Sequence, residues 1–310
     1  MSKYLVTGVA GFIGSNIAQE ILDNGNQVMG IDSFNSTLYD NNTKVARLGK
    51  LQKYDNFSFL KGSILEIDLD KILDGVDYVI NEAGLPGQLV SWEKTSEYFE
   101  ANTFAAHKLY EYSIKNNIKV FIQASTSSVY GIEAVGLENQ YLRPASPYGV
   151  TKLAAENLIQ ALSSRGSTKT IILRYFSVYG PGQRPDMGIY KFIESIKESK
   201  SINIYGDGEQ TRDFTYVSDI VNATLMAIIS GQNNEIYNVS GGEIISVNKL
   251  VELIGQILNV NIKVNKLERP IGDQLNTRAD TSKLRNHISW SPKIDLELGL
   301  FNQLKWQGLI

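Results

Sequence analysis

The chain has no cysteine and only two histidines, His107 and His287, far apart in sequence. The first absence excludes disulfides, thiol nucleophiles and thiolate metal sites. The second leaves too few imidazoles for a zinc site, so no metal is expected. Long apolar runs are missing as well, and no stretch reads as a membrane span. The opening residues, MSKYLVTG, run into a strand without a signal-peptide pattern, so the expected location is the cytoplasm. With 30 Lys and Arg against 33 Asp and Glu, the formal net charge is -3. That balance gives no general attraction to nucleic acid or an anionic membrane, and an anionic ligand must be held by local groups.

What is present is an ordinary globular composition, 43% hydrophobic and 20% charged. The 310 residues suffice for one large domain and a smaller one. In the N-terminal half, short β-rich runs alternate with amphipathic stretches. Strands are expected at Tyr4–Thr7, Val28–Asp32, Phe57–Leu60, Tyr78–Asn81, Val120–Ala124 and Thr170–Arg174, with helices at Phe12–Asn24, Glu97–Asn116 and Tyr148–Ser163. This is the pattern of βαβ units, and right-handed crossovers make it an α/β fold with a Rossmann-type doubly wound parallel sheet. After Arg174, the residues Gly180, Pro181, Gly182, Pro185 and Gly188 mark loops, a helix is expected near Ile189–Ser199, and Ser246 reads as the N-cap of a helix through about Leu258. The expected division is a dinucleotide-binding domain of residues 1–174 plus about 213–238. A smaller, interleaved substrate-binding α/β region takes about 175–212 and 239–310.

Between the first strand and helix, Gly8, Gly11 and Gly14 stand at GxxGxxG spacing, with Phe12 and Ile13 opening the helix. Glycine allows the tight turn and the approach of a pyrophosphate, which the helix start receives with free N–H groups and its positive dipole end. Asp32 ends the second strand, 18 residues beyond Gly14. A carboxylate there accepts the adenosine ribose hydroxyls and repels a 2′-phosphate. The following Ser33-Phe34-Asn35-Ser36 holds no Arg or Lys for NADP. NAD is the expected cofactor.

Tyr148 is the one tyrosine with a lysine, Lys152, four residues on, a spacing that puts both on one helix face. A nearby ammonium and the positive nicotinamide favour the phenolate, which makes Tyr148 a candidate base near neutral pH. Upstream, Ala124-Ser125-Thr126-Ser127-Ser128-Val129-Tyr130-Gly131 is a hydroxyl-rich stretch leaving a strand at the sheet's carboxyl edge. It suits the binding of a sugar hydroxyl; the bland alternative is a Ser/Thr turn bonding its own backbone.

These residues resemble the extended short-chain dehydrogenase/reductase family of nucleotide-sugar epimerases, dehydratases and decarboxylases. The resemblance runs through Thr7–Gly14, Asp32, Ser125–Gly131, Ser146–Lys152, Arg174–Pro181 and Gly206–Phe214, nearly the whole chain. It implies that Tyr148 is the acid/base, that Lys152 anchors the nicotinamide ribose, and that Thr126 bonds the reacting hydroxyl during reversible oxidation at sugar C4. It further implies cofactor contacts from Asn35, Ser36, Ser63, Ile64, Ala83, Asn102, Ser125 and Tyr175. A UDP-sugar partner, a homodimer through the helices near 97–116 and 148–163, and a role in supplying polysaccharide precursors follow from the same likeness.

Within the family the chain is similar to the UDP-glucuronate 4-epimerases. It carries Thr126-Ser127-Ser128 where dehydratases show Thr-Asp-Glu, and it lacks the decarboxylases' Glu at Ser128. Pro86, Ser177 and Arg184 match the glucuronate enzymes, and Arg184 with the three hydroxyls is expected to pin the sugar carboxylate. Arg212, Asp273 and Arg278 are expected at the nucleotide end. Three departures stand out: Glu82, within Asn81-Glu82-Ala83-Gly84 where relatives show His-Leu-Ala-Ala; Gln88-Leu89 where glucuronate epimerases have Val-Arg; and Ser63 for Asp. An inward-facing Glu82 would oppose a carboxylated sugar. The alternative substrates are UDP-glucose/UDP-galactose or a UDP-N-acetylhexosamine, and the alternative activities a nucleotide-sugar reductase or a non-catalytic NAD-binding protein.

Overall fold

A computed structural model describes residues 1–310. The strands are β1 Lys3–Thr7, β2 Gln27–Asp32, β3 Phe57–Lys61, β4 Tyr78–Asn81, β5 Val120–Thr126, β6 Glu133–Gly136, β7 Lys169–Tyr175, β8 Val178–Tyr179, β9 Ile202–Tyr205, β10 Thr211–Tyr216, β11 Glu235–Val239, β12 Glu243–Ser246, β13 Val264–Leu267 and β14 Asn276–Ala279. Seven of them form a parallel sheet in the order β11-β7-β5-β4-β1-β2-β3. The order reverses at β1, which has β2 on one side and β4 on the other, and a crevice opens at such a switch point. Strands β5 and β7 are buried along nearly their whole length because helices cover both faces. One core cluster gathers Val6, Ile17, Ile122 and Ile220. Another gathers Leu5, Val79, Leu109 and Phe121. Neighbours such as Leu5 and Val6 thus part to opposite sides, as strand alternation requires.

The helices are α1 Phe12–Asp23, α2 Asn42–Leu51, α3 Leu69–Leu73, α4 Gln88–Glu93, α5 Thr95–Tyr98, α6 Ala105–Lys115, α7 Pro147–Leu162, α8 Gly188–Lys197, α9 Val217–Ser230, α10 Val247–Leu258, α11 Ser282–Ile288 and α12 Leu296–Trp306. Ser146 caps α7 by accepting the Gly149 N–H, with Pro147 at the first turn. Ser246 caps α10 through the Lys249 N–H. The six strands expected from sequence all form, β5 and β7 running two and one residues further, to Thr126 and Tyr175. The stretch expected as one helix over Glu97–Asn116 contains a π-helical segment, Phe99–Phe104. Helix α2 was not foreseen, because its apolar content is low and only Lys44, Arg47, Leu48 and Leu51 are buried.

A smaller sheet, β12-β10-β14-β6 with β8 on β10, stands beyond the carboxyl edge, and β13 pairs β9. Sheet membership crosses the chain order: β6 belongs to the smaller sheet, while α9 packs against β5 and β7 and β11 joins the main sheet. The smaller sheet's core unites Tyr179, Ile193, Phe214, Ile254 and Leu300. No helix is long and apolar enough to cross a membrane.

Inside the main layer, Arg174 of β7 and Glu156 of α7 form an ion pair with both side chains 1% exposed. The guanidinium reaches both carboxylate oxygens and also donates to the Tyr130 hydroxyl and the Glu138 carbonyl. Removing one member of such a pair strands a buried charge at a cost of about 3–5 kcal/mol. Glu156→Leu alone is therefore expected to cost about that much in urea unfolding, and Glu156→Leu with Arg174→Met distinctly less; equal losses would show that the pairing is not what matters.

Candidate active site

The glycine turn ends β1 and opens α1. Gly8 has φ +63°, and a Cβ there would lie 2.8 Å from the Glu82 carbonyl group at the end of β4. Gly11 is just as tight, since its Cβ would meet the Gly8 oxygen at 2.8 Å. At the N-terminus of α1 no side chain caps the helix, so its first N–H groups and its positive dipole end are open to an anion. Phe12 is buried and Ile13 half-buried at this helix start.

Asp32 is buried at the tip of β2, where Oδ2 accepts the Ala10 N–H and Oδ1 the Phe34 N–H. No cation follows it immediately in sequence, but α2 brings two. Lys44 Nζ lies 3.8 Å from Asp32 Oδ1 and donates to the Asn35 carbonyl. Arg47 donates to the carbonyls of Ala10 and Gly182, while its Nε is buried without a partner. Neither was foreseen, because α2 itself was not. Asn35 and Ser36 are exposed, Ser63 is half-buried and Ile64 is buried. The open helix end, the buried acid and the unpartnered Arg47 donor fit a dinucleotide held across this turn.

On α7, Tyr148 and Lys152 share a face. Burial lowers the Lys152 ammonium to about 8, against the pull of Glu82 and Glu156, and it donates to the Ala124 carbonyl at 2.6 Å. Burial also raises the Tyr148 phenol above its ordinary value, although a hydrogen bond with Thr126 and the Arg184 charge oppose this. In the protein alone desolvation thus outweighs the Arg184 charge, and the lowering expected from Lys152 together with a positive nicotinamide belongs to the cofactor-bound state. Tyr98 packs edge-on against Tyr148, with ring centroids 6.2 Å apart, and its hydroxyl donates to the Pro86 carbonyl.

The hydroxyl loop lies opposite. Thr126 Oγ1 accepts the Ser128 N–H and so caps the short turn Ser127–Tyr130. Ser125 donates to Glu156, and Ser127 to Gln274, whose amide donates in turn to the Ser127 and Gly131 carbonyls. Gln88 Nε2 donates to Ser128 Oγ at 3.2 Å. Asn102, expected near the nicotinamide, spends its amide on the protein. It bonds both backbone groups of Leu85 and the Thr151 hydroxyl. The π-helical turn aims it there, bracing the Leu85-Pro86-Gly87 loop against α7.

Two of the three expected anion-binding arginines already hold partners. Arg184 grips Asp186 through Nε at 2.9 Å and Nη2 at 2.8 Å, and Arg212 holds Asp273 at 2.8 Å. Arg278 is exposed and Ser177 half-buried, and Asp280 accepts the Ser282 N–H at the start of α11. Glu82 faces inward: its Oε1 accepts the Tyr175 hydroxyl at 2.9 Å, and that hydroxyl also bonds Thr224. Ala83, beside it, donates its N–H to the Thr7 hydroxyl. Glu82, Gln88 and Gln274 were not placed among the site residues from sequence, because nothing local signals a partner about 40 or more positions away.

Because a Cβ on Gly8 must displace the end of β4 and suffers the left-handed φ, Gly8→Ala is expected to weaken NAD retention about tenfold or more, read as nucleotide remaining per chain after desalting. Full retention would remove the turn from the cofactor site.

Comparison with known proteins agrees with this geometry. The model of the NAD dependent epimerase/dehydratase family matches residues 4–240. An uncharacterized UDP-glucose epimerase of Bacillus subtilis is 41% identical over 261 residues, 82% of either chain. The UDP-glucuronate 4-epimerase of Thermodesulfobacterium geofontis is 36% identical over 312 residues, 99% of this chain and 96% of that one. The crystal structure of UDP-glucuronic acid 4-epimerase from Bacillus cereus with UDP-glucuronic acid and NAD superposes with a TM-score of 0.94 at 36% identity, covering 98% of both chains. With a glycine turn, a buried acid at the tip of β2 and a Tyr148–Lys152 face on one parallel-sheet edge, the chain belongs to the NAD-dependent epimerase/dehydratase family.

Proposed function

We propose that the protein interconverts UDP-glucuronate and UDP-galacturonate by epimerisation at C4, with NAD bound between the glycine turn and Lys152. The observation that carries the reading is that α7 sets Tyr148 and Lys152 against the hydroxyl loop, Lys152 donating to the Ala124 carbonyl two residues before Thr126, with Thr126 and the Arg184 charge both acting on the phenol. The chemistry NAD supplies when bound is reversible acceptance of the C4 hydride, so the sugar passes through a 4-keto form and the cofactor ends oxidised.

The protein's own groups do the rest. Tyr148 takes the O4 proton and later returns it, a kind of help worth about 10²–10⁴-fold. Lys152, held by the Ala124 carbonyl, anchors the cofactor ribose and adds a positive charge beside the phenol. Thr126 orients the reacting hydroxyl. Oxidation at C4 of a glucuronate makes a β-keto acid, and the Ser127 and Ser128 hydroxyls with Arg184 hold its carboxylate against loss of CO₂. Arg184 must then turn part of its fork from Asp186 to the substrate. Arg212 serves the diphosphate by the same exchange with Asp273.

A second reading, epimerisation of an uncharged UDP-hexose, is favoured by Gln88. Its amide on Ser128 supplies a neutral hydrogen-bonding group where a carboxylate would need a cation. We also propose that the enzyme works in the cytoplasm as a homodimer joined through α7 and the Phe99–Phe104 turn, where Phe104, Val150 and Leu158 are 55%, 41% and 36% exposed. Ala105 and Leu109, on the same stretch, belong to the core.

A panel of UDP-sugars followed by NMR for C4 inversion, with CO₂ release monitored, tests the assignment. UDP-glucuronate should turn over fastest and without CO₂. Tyr148→Phe is expected to lower turnover by about 10²–10⁴-fold while UDP-sugar binding survives; undiminished activity refutes the role. Arg184→Ala should damage turnover of UDP-glucuronate far more than that of UDP-glucose, and equal losses would favour the uncharged substrate.

A further inference from the structure

One acid in the cleft has no part in the chemistry described so far. Glu82 directly follows β4, beside the Gly8 turn, and both of its chain neighbours are pinned. Asn81 accepts the Thr7 hydroxyl and donates to Gln123, while the Ala83 N–H is held by the same Thr7. Its carboxylate is held in turn by Tyr175, itself bonded to Thr224 on α9. Two residues on, a Cβ at Gly84 would sit 3.9 Å from Lys152 Nζ. The carboxylate therefore lies in the strip between the dinucleotide turn and the Tyr148–Lys152 face, where the nicotinamide end of a dinucleotide must run.

We propose that Glu82 is a cofactor-biasing residue: its carboxylate, seated between the glycine turn and Lys152, stabilises the cationic oxidised nicotinamide over the neutral reduced ring. The inference rests on the dinucleotide site alone and on no choice of sugar. Reduction of the ring by hydride removes one positive charge, so a fixed negative charge nearby favours the oxidised form by Coulomb's law. An enzyme that must finish each cycle with NAD⁺ gains from this, since cofactor left reduced after premature loss of a keto sugar is idle. Because Tyr175 already bonds the carboxylate, the side chain cannot swing away from the strip without abandoning that hydroxyl.

The groups facing Glu82 are Tyr175 of β7, Thr224 of α9, and Lys152 and Tyr148 of α7. Burial raises the Glu82 carboxyl to about 7, while the Tyr175 bond and the Lys152 charge pull it down. A carboxyl shifted upward carries its charge above that pH and loses it below, so the bias is full on the alkaline side and fades on acidification.

Holoenzyme is equilibrated with a large excess of mixed NAD⁺ and NADH, desalted, and the bound ratio read from the near-ultraviolet absorbance of the reduced ring. Glu82→Gln keeps an acceptor for Tyr175 but removes the charge, and should shift the bound ratio toward NADH about tenfold at pH 8.5, equivalent to about 30 mV for this two-electron couple. The difference between wild type and variant should shrink toward pH 5. Glu82→Leu, which also gives up the Tyr175 bond, should shift the ratio in the same direction as Glu82→Gln. A Glu82→Gln ratio within about twofold of wild type, a shift toward NAD⁺, or a pH-independent difference would overturn the proposal, whichever sugar the enzyme uses.

Discussion

The buried pair between Arg174 and Glu156 is the constraint on which the site's geometry depends. Tyr148, Lys152 and Glu156 follow one another at intervals of four on α7, so one helix face carries the phenol, the ammonium and the anchoring carboxylate. Glu156 is tied to Arg174 of β7 and to Ser125 at the end of β5. The same guanidinium holds Tyr130, whose hydroxyl donates to Asn238, and it holds the Glu138 carbonyl. A helix sliding along the sheet would pull Glu156 from both Arg174 and Ser125 and leave a buried charge unpaired. Such a network fixes the register of α7, and with it where Tyr148 meets Thr126.

The other side of α7 is fixed by neutral groups. Asn102 and Thr103, presented by the π-helical turn, bond Thr151 on the helix, and Asn102 also clasps Leu85. The resemblance implied that Asn102 sits near the nicotinamide, and its neighbourhood does include Lys152, since Gly84 lies close to both. Its amide, however, is committed to holding the Pro86 loop against the helix. Asn102 and Thr103, both buried, thus serve position, whereas Tyr148 and Glu82 are only half-buried.

What could be read from the sequence follows from how local each signal is. The six strands, the glycine turn, Asp32 and the Tyr148–Lys152 spacing are each written within a few consecutive residues, where period, cap and turn chemistry act directly. The π-helical widening at Phe99–Phe104 was not legible, because it is set by the reach of Asn102 to Leu85 and Thr151. Lys44 and Arg47 were missed beside Asp32 because a charged helix of low apolar content carries them across a loop. The Gln274 clasp on the serine loop and the Gln88 contact with Ser128 span 147 and 40 positions, and only the fold creates them. The burial that raises the Tyr148 phenol in the protein alone was not legible for a related reason: the ammonium four residues away is visible in sequence, and desolvation is not.

Charge in the cleft is arranged by exchange. A chain of net charge -3 cannot draw an anionic ligand by its overall field, yet Arg184, Arg212 and Lys44 all stand along the expected path of a dinucleotide and a nucleotide sugar. Each is balanced by an acid, Asp186, Asp273 and Asp32 respectively. Partly buried cations left bare would be costly to desolvate, and pairing removes most of that cost before any ligand arrives. The net attraction for a phosphate or carboxylate is then the difference between two ion pairs. That difference is small for a lone anion and accumulates only for a molecule presenting several anionic groups at the right separations. On the proposed function, a cleft built this way would favour the whole nucleotide sugar over free phosphate or a small acid, giving selectivity without a strong positive potential.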